Sequence, residues 1–120
     1  MMNCLIVALG GAIGAVLRFL VTQLPISVGS FPIKTFFINF TGALGAGIFL
    51  ALVSKRSDID PNMFLFLRVG ILGAYTTFAT CFTESYSFIK NGQHIYGLFY
   101  VLFSVACAYA GIYASDILIK

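Results

Sequence analysis

The chain alternates long apolar stretches with short polar ones. A bilayer hydrocarbon core ~30 Å thick is crossed by about 20 apolar residues in a helix. Four stretches of that length fit, at 3–21, 35–53, 63–89 and 95–118. Pro25, Gly29 and Pro32 mark a loop after the first. The run from Ser54 to Asn62, SKRSDIDPN, is the clearest loop of all, and Lys90, Asn91, Gly92 and Gln93 close the third stretch. No Lys or Arg precedes the first stretch, which is glycine-rich with Arg18 near its end, so it reads as a retained helix rather than a cleaved signal. The pattern predicts an all-α integral membrane protein with four transmembrane helices in a single domain, 1–120.

Composition narrows the function classes. The chain is 60% hydrophobic and 9% charged, whereas a soluble domain carries roughly 25% charged residues. The net charge of +3 comes from scattered basic residues, with only Lys55 and Arg56 adjacent, so no phosphate-tracking stripe exists and nucleic acid is excluded as a partner. Cys4, Cys81 and Cys107 lie in apolar runs without a CxxC pair and read as buried thiols. His94 is the only histidine, which leaves a zinc site without ligands. No nucleophile–base pair is visible, so an enzyme is not expected.

An even number of spans puts both termini and the 54–62 loop on one face. Lys55, Arg56 and Lys120 belong there, while Lys34, Lys90 and Arg18 lie toward the other. Three against three gives the positive-inside rule nothing to choose by, which suits a chain that inserts both ways up. Small residues four apart recur: Gly10 and Gly14, Gly11 and Ala15, Gly42 and Ala46, Ala43 and Gly47, Ala106 and Ala110. Such pairs let helix backbones approach closely in lipid, within one subunit or between two, and an oligomer is expected.

The third stretch carries the most chemistry. Its midpoint falls near Thr76, among Gly70, Gly73, Thr76, Thr77 and Thr80. Glycine and β-branched residues are poor helix formers, so a break near the midplane is predicted. Carbonyls freed there need partners, which threonine hydroxyls or a bound cation can supply. An unbroken helix with a small-residue packing face is the competing outcome. Asn39, in the apolar run Phe36–Phe40, carries an amide that must find a partner in a neighbouring helix or an anion. Phe78 follows the proposed break, and the positive edge of its ring suits a dehydrated anion. Tyr96, Tyr100 and Ser104, four apart, share a helix face and form one wall of a polar path, or Tyr96 and Tyr113 anchor the interface. Glu84, the only glutamate, reads as a proton carrier or a partner for a basic group, and Arg18 and Arg68 as pairing or vestibule residues that concentrate anions.

At these residues the chain resembles the Fluc/CrcB fluoride channel family. Gly10, Gly11, Gly14, Ala15 and Arg18 follow its GGxxGAxxR pattern, and Thr35, Asn39 and Gly42 its TxxxNxxG pattern. Gly70, Gly73, Thr76, Thr77, Phe78 and Thr80 follow GxxGxxTTFST. The resemblance covers nearly the whole length. It implies a fluoride-selective channel in the cell membrane of a bacterium, passing fluoride passively outward. It implies an antiparallel dimer in lipid, with two pores along the subunit interface. It further implies a structural sodium ion at the dimer centre on the backbone carbonyls of Gly73 and Thr76. Asn39, Phe78, Thr80, Tyr100 and Ser104 would line the fluoride path, with Arg18 and Glu84 in vestibule or structural roles. The chain departs from the pattern at Ala79 and Cys81, where the family has serine and a second phenylalanine, and at Ala108, where a hydroxyl would follow Ser104. Phe82 stands roughly 40° around the helix from Phe78, and position 81 about 60° the other way, which predicts that Phe82 does not take over the missing ring's place. The partner is accordingly a second copy or a paralogous subunit. The rival reading, a small four-helix proton-coupled multidrug exporter, needs an embedded carboxylate in the first helix, where this chain has none.

Overall fold

The structure, a computed structural model, describes residues 1–56 and 58–119. Ser57 of the polar loop and Lys120, counted above among the basic residues of one face, lie outside the described residues. Among the described residues, four helical segments are long and apolar enough to cross a membrane: Met2–Thr22, Ile33–Lys55, Pro61–Lys90 and His94–Ile119. Each extends one or two residues beyond the apolar windows, because a helix continues into the interface where its end can be satisfied.

We label them α1 (Met2–Thr22), α2 (Ile33–Lys55), α3 (61–75), α4 (Ala79–Lys90) and α5 (His94–Ile119). The third span is therefore two half-helices. α3 starts at Pro61, with Asp60 as N-cap accepting from the Asn62 N–H at 2.9 Å, and proline at the first helical position has no N–H to leave unpaired. It continues as a π-helix over Leu65–Leu72 and ends as Gly73–Tyr75. At Thr76 the chain turns extended, with φ −74° and ψ 152°, and α4 begins three residues later.

Close backbone contact explains the glycines. A Cβ on Gly10 would strike the Phe66 carbonyl, and one on Gly14 the Ile71 carbonyl. Gly70 meets Gly10 in return, so α1 and the π-helical part of α3 pack backbone to backbone. A Cβ on Gly42 would collide with the Thr76 methyl, which lets the broken segment press against α2. These pairs thus act inside the subunit, while Ala106 and Ala110 remain exposed on its outer face. α5 packs on α2, where Ser115 donates to the carbonyls of Gly111 and Leu44, and on α4, where the Ser85 hydroxyl donates to the Gly97 carbonyl at 2.9 Å.

Two lysines of α2 hold helix ends on opposite faces. Lys34 Nζ donates to the Thr22 carbonyl at the end of α1, 2.9 Å away. Lys55 Nζ donates to the Ile119 carbonyl at the end of α5. A cation there satisfies an orphan carbonyl and meets the negative end of the helix dipole.

Candidate functional site

The break between α3 and α4 gathers the polar contacts of Asn39, Thr77 and Thr80. Asn39 bridges it from α2: its Nδ2 donates to the Thr77 carbonyl and its Oδ1 accepts from the Thr77 N–H, both at 2.8 Å. In an unbroken helix the Thr77 N–H would bond to the carbonyl of Gly73. Thr77 in turn turns its hydroxyl on the start of α4, where Oγ1 accepts from the Thr80 N–H at 3.4 Å and meets the Thr80 hydroxyl at 3.0 Å. In an unbroken helix that N–H would go to the carbonyl of Thr76. The two side chains thus divert the two N–H groups that Gly73 and Thr76 would otherwise have had as helical partners. Free carbonyls at the middle of a span are hard donors suited to a small cation. The residues present therefore fit the sodium role that the resemblance implies, with Gly73 itself exposed on the subunit's surface.

Two cavities flank the break. The first, of about 260 Å³, is lined by Asn39, Thr76, Phe78, Phe82, Ser104 and, at its α3 end, Arg68. Cys81 and Ala108, the departures from the family pattern, face the same space. Phe82 is not carried away from Phe78: their ring centroids lie 4.5 Å apart in an edge contact. The Phe82 N–H bonds to the Phe78 carbonyl at 3.1 Å, so the two rings meet as an i, i+4 pair on one face of α4. The Ser104 Oγ is buried and has no hydrogen-bond partner among the described residues. The second cavity, of about 230 Å³, lies between α1, α2 and α4 and is lined by Arg18, Thr22, Thr35, Thr77 and Thr80.

The expected residues therefore divide. Asn39, Phe78 and Ser104 meet at one cavity, and Thr80 joins Arg18 at the other. Tyr100 lines neither. It is fully buried, its hydroxyl donates to Glu84 Oε1 at 3.0 Å, and its ring meets the edges of Phe31 and Phe88. Tyr96 packs on Phe88 at 4.6 Å instead of extending the hydroxyl wall. Among the described residues Glu84 has hydroxyls for partners rather than a basic group: Thr35 Oγ1 donates to its Oε2 at 3.0 Å and Tyr100 to its Oε1. Thr35 and Thr77 carry roles that their place in the motifs alone did not assign. Thr35 stands one turn before Asn39 on α2, a spacing that puts both on one face.

What this arrangement resembles is specific. Residues 5–115 match the family model described as CrcB-like protein, Camphor Resistance (CrcB). The chain is similar to the fluoride-specific ion channel FluC of Methylobacterium sp. (strain 4-46), 37% identical over 121 residues that cover 100% of this chain and 98% of that one. It is similar to the protein of the same name from Rhizobium meliloti (strain 1021), 34% identical over 100% of this chain and 98% of that one. It also resembles the one from Solibacter usitatus (strain Ellin6076), 36% identical over 99% of each.

Proposed function

The chain belongs to the CrcB family, and from that premise we propose that it is a fluoride-specific ion channel, the activity its relatives' names state. It is a multi-pass membrane protein whose relatives are bacterial channels, not enzymes. A multidrug exporter is not supported by those relatives. The carrying observation is the Asn39 amide on the cavity wall beside Phe78 and Ser104. One of its two N–H bonds goes to Thr77, which leaves the other as a donor. Fluoride is small and strongly hydrated, so a path must replace its water with strong donors. The Asn39 N–H, the unpartnered Ser104 hydroxyl and the positive ring edges of Phe78 and Phe82 offer this around one cavity. Flow is passive and, where acid carries fluoride inward as the neutral molecule, outward.

The working unit is an antiparallel dimer in lipid. Phe78 is 72% exposed in the isolated subunit, although it sits at the break in mid-span, and Gly73 is exposed beside it. A second copy related by an axis in the membrane plane would cover both and gather the Gly73 and Thr76 carbonyls of two breaks. A sodium ion held there supplies positive charge at the depth where a lone anion is least stable. A second reading, pairing with a paralogous chain, is favoured by Cys81 and Ala108 on the cavity wall, where the family pattern has a ring and a hydroxyl.

The test is fluoride release from liposomes holding this purified chain, followed with a fluoride electrode and with chloride as control. Fluoride-selective release, abolished by Asn39→Asp or Phe78→Ile, is expected. If the chain is silent alone but active with a co-expressed paralogue, the pair is a heterodimer; silence in both settings would overturn the channel reading.

A further inference from the structure

Far from the break, a third cavity of about 480 Å³ lies where α2 ends and α3 begins. Val53, Ile59, Phe64 and Leu65 give it an apolar wall, and Arg56 and Asn62 line it with polar side chains. Counted at roughly 1.5 Å per residue from the break at Thr76, Leu65 lies about 16 Å and Asn62 about 21 Å from the midplane. The cavity therefore straddles the edge of the hydrocarbon core, ~15 Å out, and reaches the depth of the lipid headgroups. Among the described residues the Arg56 guanidinium makes no hydrogen bond or ion pair. Its basic neighbour is already committed, since Lys55 Nζ donates to the Ile119 carbonyl. Asp60 accepts from the Asn62 N–H as the cap of α3, and no carboxylate lines the cavity. The first turn of α3 borders the same space through Pro61 and Asn62 and brings it the positive end of a helix dipole. A solvated surface arginine needs no cavity. One poised over an apolar trough at headgroup depth matches a ligand that is anionic at one end and hydrocarbon at the other.

We propose that this cavity binds an anionic phospholipid, with its phosphate on the Arg56 guanidinium and the Asn62 amide and the upper part of an acyl chain against Val53, Phe64 and Leu65. A guanidinium presents a planar fork of donors that matches phosphate oxygens, and a basic pocket between spans suits an anionic headgroup. The apolar wall separates a lipid from free phosphate, which would gain nothing from it. The lipid braces the joint between α2 and α3 where the 54–62 loop crosses from one to the other. In opposed copies the same site opens to both leaflets, so each subunit is braced whichever way up it sits. Lipid binding at this face is independent of what the break conducts.

The purified chain in neutral detergent is titrated with phosphatidylglycerol or with phosphatidylcholine of the same acyl chains, and bound lipid is counted by native mass spectrometry. Arg56→Gln and Lys90→Gln are titrated in parallel. Phosphatidylglycerol is expected to bind the wild type roughly fivefold more tightly than phosphatidylcholine, the scale set by one arginine at an anionic headgroup. Arg56→Gln should bring the two lipids level, whereas Lys90→Gln, which removes an equal charge from the other face, should keep the preference whole. Equal phosphatidylglycerol affinity in wild type and Arg56→Gln would overturn the proposal. So would an equal fall in Arg56→Gln and Lys90→Gln, the mark of general charge attraction. Inorganic phosphate in large excess should leave the lipid bound; if it displaces phosphatidylglycerol, the site serves the free anion and the lipid assignment falls. Should Arg56→Gln not elute as a folded species, the wild type decides, and no preference between the two lipids sinks the idea.

Discussion

Replacing Asn39 with alanine removes both bonds of the bridge to Thr77 and leaves one N–H and one carbonyl without partners in the membrane. Each such group costs about 1–3 kcal/mol, so Asn39→Ala is expected to lower the melting temperature in detergent as well as abolish flux. Asn39→Asp separates the two roles. Its carboxylate still accepts from the Thr77 N–H but loses the donor to the Thr77 carbonyl and places negative charge on the cavity wall, so the protein should assemble, less stably than the wild type, and not conduct. Both can be read by size-exclusion profile and fluoride electrode. At Glu84, Thr35→Ala removes one of the two hydroxyl donors, and a modest loss of thermal stability, on the order of 1 kcal/mol, is expected from a denaturation midpoint. Asn39 was legible in the sequence because an amide in an apolar run must be answered by something. The partners of Glu84 were not, because the helical spacing that set Tyr100 on a face with Ser104 says nothing about which neighbour that face meets. Packing turned Tyr100 toward Glu84 and Ser104 toward the cavity.

At the scale of elements, the broken third span followed from its two glycines and paired threonines, and the structure places the turn at Thr76. The π-helix over Leu65–Leu72 was not legible. Its leucines and arginine favour an ordinary helix, Val69, Gly70 and Ile71 weaken it without naming a π-turn, and the wider turn is tied to tertiary contact, the carbonyls of Phe66 and Ile71 lying against Gly10 and Gly14. Gly14→Leu should therefore separate α1 from α3, with a loss of about 1–3 kcal/mol or more, typical of overpacking a close contact. It should appear as loss of the monodisperse species in detergent. Gly11→Ala, whose Cβ would meet only the Ala74 methyl at 3.9 Å, should be tolerated in the same assay. The glycine spacing in the sequence announced close packing but could not say which glycine faced which helix.

For the whole molecule, the four spans were readable because lipid demands long uninterrupted apolar helices. The assembly was not, since a surface that meets lipid and one that meets a second copy are equally apolar. An antiparallel dimer makes a definite prediction. A cysteine introduced in the 54–62 loop of a chain without native cysteines should be labelled in part by an impermeant thiol reagent in intact cells, and the remainder only after the membrane is permeabilised. Labelling that is complete in intact cells, or absent until permeabilisation, would exclude opposed insertion.

The two lysine contacts of α2 bear on how steadily the conducting path is held. A beam clamped at both ends bends far less than one free at either, and α2 is fastened to the end of α1 through Lys34 and to the end of α5 through Lys55. Asn39 rides on that beam between the two clamps. On the proposed reading its amide is carried by a helix fastened at both ends, and loosening either fastening should let the gap between α2 and the break vary before flux is lost.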